Sequence, residues 1–112
     1  MNSFMKQVRD WCDKNDCMLT GHHVLEESYL SQLTTNGAVM PQYCYYNIPG
    51  MDWLSNERTS LVTMIQLSSA AAQMGTKKVL SETFAMCGWN ISFSEMRHLY
   101  QLSIKPLSRA LN

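Results

Sequence analysis

KKVLSETFAMCGW, residues 77–89, is the stretch from which the fold is read. Two lysines lead into a short apolar rise at Val79 and Leu80, and the run then turns polar at Ser81, Glu82 and Thr83 before it reaches Gly88. As a strand of a parallel sheet, Thr76–Thr83 is buried along its length, and its carboxyl end opens on the crevice where α/β folds bind ligands. Glu82 stands at that end. An ionised carboxylate at the mouth of a buried strand must be solvated, paired or used. Glu82 is therefore either a catalytic or substrate-binding group or one half of a structural ion pair.

Two further stretches repeat this layout. Cys17–Thr20 is a short apolar run that ends at Gly21, with His22 and His23 at its carboxyl end and Glu26 and Glu27 close behind. Met51–Leu54 follows the punctuation of Pro49 and Gly50 and bears Asp52 and Trp53. Helical patterns alternate with these strands. Residues 2–15 place Phe4, Val8, Trp11 and Cys12 on one face. Val24–Leu33 reads as a short helix or an irregular loop, and Ala38–Tyr46 as a short helix with Pro41 in its first turn. Ser55–Thr59 is a loop. From Ser60 to Met74 an inward face of Leu61, Met64, Ile65, Ser68, Ala71 and Ala72 precedes Gly75 as C-cap. Ser92 and Glu95 form a capping box for a last helix, with Met96, Leu99 and Tyr100 inward and Pro106 as its end. Helix–strand alternation predicts an α/β fold of about three parallel strands with crossover helices.

Composition narrows the function classes. Lys and Arg number 9 and Asp and Glu 9, so no basic surface for nucleic acid or for an anionic membrane is expected. Apolar runs fall short of the roughly 20 residues of a membrane span, and the first residues do not read as a secretory signal. The four cysteines contain no Cys-x-x-Cys pair, which argues against a zinc knuckle or a dithiol redox motif and for buried free thiols. No cofactor is expected. His22, His23, Glu26 and Glu27 have ligand chemistry suited to a divalent ion, but a loop histidine bonded to a neighbouring carboxylate is the preferred explanation, and no metal set is assigned.

Three strand ends thus carry polar chemistry: His22 with Glu26, Asp52 with Trp53, and Glu82 with Trp89 beyond it. Carboxylates beside tryptophans suit sugar, because a ring's apolar face stacks on indole while carboxylates hold its hydroxyls. Carboxylates also serve as acid, base or nucleophile in most glycosidases. Each residue has a second reading. Trp53 and Trp89 fit somewhat better in a core, and Asp52 fits equally as the cap of the following turn.

The segments LTGHHVLEE at 19–27, IPGMDWL at 48–54 and KKVLSETFAMCGWNISFSEM at 77–96 resemble the catalytic barrel of large bacterial glycoside hydrolases of the α-L-rhamnosidase-like and β-galactosidase-like kind. The resemblance runs from about Met1 to Arg97. It implies a (β/α)8 barrel of which residues 1–100 are a partial segment and 101–112 a divergent tail, as a truncated gene or a frame change would leave. By this likeness Glu82 matches a catalytic strand-end carboxylate and His22 a substrate-contacting residue; Asp52, Trp53, Trp89 and Glu26 are expected on the carbohydrate substrate from their own places at the strand ends. The fragment is expected to be inactive alone, and complete relatives to be periplasmic or secreted. A small non-catalytic α/β interaction module is the alternative.

Overall fold

The computed structural model describes residues 4–55 and 60–110. Asn2 and Ser3, expected in the first helix, and residues 56–59 of the expected loop lie outside the described residues. The order is α1 (Met5–Lys14), β1 (Thr20–Gly21), α2 (Tyr29–Thr35), a 3-10 helix (Met40–Tyr45), β2 (Ile48–Trp53), α3 (Leu61–Met74), β3 (Leu80–Thr83) and α4 (Phe93–Ala110). The strands form one sheet in the order β1-β2-β3, and both pairings are parallel. The expected α/β alternation is therefore present, with three parallel strands joined through helices. No described helix is long and apolar enough to cross a membrane.

The strands differ from expectation in ways the backbone explains. β2 begins at Ile48, so Pro49 and Gly50 lie within it and do not interrupt it. The Ile48 N–H donates to the Leu19 carbonyl on the β1 side. Strand alternation then turns the Pro49 nitrogen to the other edge, where β3 pairs only from Gly50 onward, so the missing donor removes no ladder bond. β3 is shorter than Thr76–Thr83, and among the described residues it is an edge strand. Leu80 and Glu82 are exposed, Ser81 and Thr83 half-buried, and among the described residues β3 pairs with β2 alone.

One core cluster joins Val39, Tyr43 and Tyr46 from the 3-10 helix and its edges to Met51 and Trp53 of β2 and to Met64, Leu67 and Ala70 of α3. Met51, Met64 and Leu67 are each 2 % exposed or less, and full burial of such side chains stabilises by about 1.5–3 kcal/mol apiece. The helix caps follow their local sequence. Ser60 Oγ accepts from the Val62 N–H and Gly75 closes α3 in the left-handed region at φ 68°. At α4, the Ser92 N–H donates to Glu95 Oε2 at 2.8 Å and the Glu95 N–H to Ser92 Oγ at 3.3 Å, which is the expected capping box.

Buried faces match expectation at Cys12, Met64, Ser68, Ala71 and Leu99 and depart from it elsewhere. In α1, Met5 packs on the core and Cys12 is buried, while Phe4 and Trp11 are exposed. In α3 the buried set includes Thr63, Met64, Gln66, Leu67, Ala70 and Ala71, and Leu61 and Ile65 are exposed. Tyr100 is exposed while Leu99 is buried. α4 continues through Pro106 to Ala110. A helical Pro removes one backbone bond and crowds the preceding turn without forbidding the turns on either side.

Close approach of β1 and β2 requires glycine at one point. A Cβ added at Gly50 would lie 2.7 Å from the Gly21 carbonyl oxygen and 3.1 Å from Leu80 Cβ. The first neighbour is backbone and cannot rotate away. Gly50→Ala is expected to lower the free energy of unfolding by about 1–3 kcal/mol, read as a fall in the urea midpoint. An unchanged midpoint would show that the two strands separate freely at this point.

Candidate functional site

Strand register brings three of the expected residues together. Asp52 of β2 is the register partner of Glu82 of β3, so both side chains project on the same face of adjacent strands. His22 follows the end of β1 and reaches across to both. Its Nε2 lies 2.7 Å from Glu82 Oε2, and its Nδ1 lies 3.8 Å from Asp52 Oδ2 and 3.3 Å from the His23 carbonyl oxygen. The Asp52 side chain is 9 % exposed, that of His22 25 % and that of Glu82 46 %, so the group runs from a buried floor to an open rim. One donor atom from each of the three lies within 4.8 Å of the others, a spread within reach of a divalent ion.

Below this group lies Glu26, which is 1 % exposed and so cannot contact a bound sugar as expected. Its Oε1 accepts from the Asp52 backbone N–H at 2.6 Å and its Oε2 from the Tyr43 hydroxyl at 3.3 Å. Its carbonyl oxygen accepts from Gln32 Nε2 at 2.7 Å and from Thr63 Oγ1 at 3.1 Å. Gln32 and Gln66 in turn exchange two side-chain hydrogen bonds. Glu26 thus ties the loop after β1 to β2, α2, α3 and the 3-10 helix. Sequence reasoning missed Tyr43, Gln32, Thr63 and Gln66. The available signal was two glutamines and a threonine within otherwise helical stretches, and it names no partner.

Burial pushes the Glu26 carboxyl up to about 7 against the bonds from Asp52 and Tyr43, and it also raises the Tyr43 hydroxyl, with the Glu26 charge adding to the effect. Asp52 is raised by burial and by the charges of Glu82 and Glu27, with the His22 imidazole opposing. The cluster of His22, His23, Glu26 and Glu27 does not form one site. His23 is buried edge-on against the rings of Tyr43 and Tyr46 at 5.7 and 5.8 Å, and burial lowers its basicity.

The two tryptophans do not join the group. Trp53 is 2 % exposed and packs in the core, because adjacent residues of a strand face opposite sides and Asp52 occupies the site side. Trp89 is fully exposed on the loop after β3, where residues 84–89 line an open concavity of about 620 Å³. Phe84 and Met86 hold this loop with positive φ of 78° and 60°, and the Ser55 N–H donates to the Ala85 carbonyl to fasten it to the end of β2.

Between about pH 4.5 and 7 the folded chain holds a proton on Glu26 that the unfolded chain releases, so stability falls as pH rises through that window. The loss is on the order of 3 kcal/mol once both values are passed. Glu26→Gln keeps the size and the acceptor for Asp52 without the charge. It is expected to raise the urea midpoint above that of the parent chain near pH 8, with the gain vanishing near pH 4.5; a pH-independent difference would exclude a buried charge as its source. Compared with known proteins, the chain matches no family model, no curated protein and no solved structure.

Proposed function

We infer that this chain supplies three staves of a (β/α)8 barrel of glycoside-hydrolase type, with Glu82 as the strand-end carboxylate that exchanges a proton with, or attacks, the glycosidic centre. The observation that carries this reading is the convergence of His22, Asp52 and Glu82 from three successive parallel strands on the carboxyl edge of the sheet, where barrel enzymes build their active sites. The quoted resemblance of residues 19–27, 48–54 and 77–96 supports the same assignment. Exposure separates the roles. Glu82 is open to a ligand, whereas Asp52 is too enclosed to attack a sugar carbon and supports His22 instead. His22 orients Glu82 through its Nε2 and leaves the outer carboxylate oxygen toward solvent. Trp89, bare on the adjoining loop, has the surface on which a sugar ring stacks.

Glycoside hydrolysis needs two carboxylates, one protonating the leaving oxygen and one acting on the opposite side of the sugar. In this reading the second comes from a stave beyond the three described. The exposed faces of Leu80 on β3 and of Leu61 and Ile65 on α3 are then the surfaces that neighbouring staves and helices cover. The same exposed side chains favour a second reading, a non-catalytic α/β module that binds a partner protein through them.

Glu82→Gln, placed in a complete barrel that carries this segment, is expected to reduce turnover by at least about 100-fold, the scale of a lost general acid or base, with the fold retained. Turnover within twofold of the parent would remove Glu82 from the chemistry. A stable, monodisperse 112-residue monomer without glycosidase activity would favour the interaction module.

A further inference from the structure

His22, Asp52 and Glu82 bring one imidazole nitrogen and two carboxylate oxygens within 4.8 Å of one another. An independent observation points to a cation among them. The Asp52 side chain is 9 % exposed, and its Oδ1 is buried without a hydrogen-bond partner among the described residues. A buried carboxylate oxygen with no donor is costly, and a metal ion satisfies it without a proton.

His22 is also arranged as a ligand. Its Nδ1 lies 3.3 Å from the His23 carbonyl oxygen, the kind of partner that holds the second ring nitrogen of a ligating histidine. That leaves Nε2, 2.7 Å from Glu82 Oε2, as the candidate ligand atom, with Asp52 Oδ2 on the Nδ1 side of the ring at 3.8 Å.

We propose that His22, Asp52 and Glu82 form a site for a divalent transition ion of the zinc type, and that the bound ion withdraws Glu82 from proton transfer. The second clause rests on the glycosidase reading above; the first stands without it. The donor set selects the ion. One imidazole with two carboxylates suits zinc, whereas calcium takes about 6–8 oxygens. Zinc bonds of about 2.0–2.2 Å hold tetrahedral ligand atoms roughly 3.4 Å apart. The 2.7 Å between His22 Nε2 and Glu82 Oε2 is shorter than that, so Glu82, at 46 % exposure, must swing aside from His22 to admit the ion. On binding, metal bonds from His22, Asp52 and Glu82 replace the His22–Glu82 contact, a proton held on the ligating nitrogen passes to water, and water completes the coordination.

The test is calorimetric titration of the whole chain with Zn2+, together with visible absorption of the Co2+ form. The background is Cys17→Ser with Cys44→Ser, because both thiols are exposed. One equivalent is expected to bind, with a tetrahedral Co2+ band. Asp52→Asn and Glu82→Gln are each expected to weaken binding at least about tenfold, and His98→Ala to leave it unchanged. Circular dichroism reports whether each variant folds, and Glu82→Gln changes only an exposed side chain. Undiminished affinity in folded Asp52→Asn and Glu82→Gln, or displacement of Zn2+ by equimolar Ca2+, would overturn the site. In a complete barrel Zn2+ is expected to lower turnover at least tenfold at saturation. Binding with turnover unaffected would overturn the inhibitory clause alone, whereas full turnover by Glu82→Gln would overturn the glycosidase reading and leave the ion site standing.

Discussion

The buried carboxylate of Glu26 is the constraint on which the arrangement of the site depends. Taking an acid out of water costs several kcal/mol unless its oxygens find donors, and here one oxygen takes the Asp52 amide and the other the Tyr43 hydroxyl. The same residue's carbonyl takes Gln32 and Thr63. Four elements of structure therefore meet at one residue of an irregular loop. Such a network adds little net stability, since every bond replaces one to water. Its effect is positional, because any other placement of the loop would leave a buried acid or a buried amide unpaired.

Above that anchor the geometry of a parallel sheet does the rest. Evenly spaced strands running the same way bring their carboxyl ends to one edge. Register pairs Asp52 with Glu82, and strand alternation sends Trp53 to the opposite face, so one residue step separates a site side chain from a core side chain. Gly50 lets β2 pass close to the Gly21 carbonyl, and the short distance between β1 and β2 carries His22 within reach of both acids. The gradient from enclosed Asp52 to open Glu82 then separates a supporting carboxylate from an accessible one.

Sequence and structure agree best where the controlling interaction is local. Gly75 closes α3 and the Ser92–Glu95 box opens α4 because each involves neighbours within one turn of chain. Agreement is poorer for buried faces. The apolar stripe of α1 places Phe4, Trp11 and Cys12 inward; Cys12 is buried, but Met5 takes the place of Phe4 and Trp11 against the core, a choice that depends on where the 3-10 helix lies and not on the helix itself. β3 shows the same limit. Val79 and Leu80 have the composition of an inner strand, while Leu80 is 39 % exposed, since what covers a strand is supplied by other parts of a fold.

From its residues alone the chain specified helix–strand alternation, hence parallel strands, and polar groups at three strand ends, because periodicity and the chemistry of short runs are properties of adjacent residues. Tertiary structure decided which of those groups meet. His22, Asp52 and Glu82 converge, while Glu26, Trp53 and His23, equally polar or aromatic and equally near a strand end, are drawn inward. The reason is that pairing register and the side of the sheet that carries the core are set by contacts across roughly 30 residues of chain, a separation at which no local pattern records its partner.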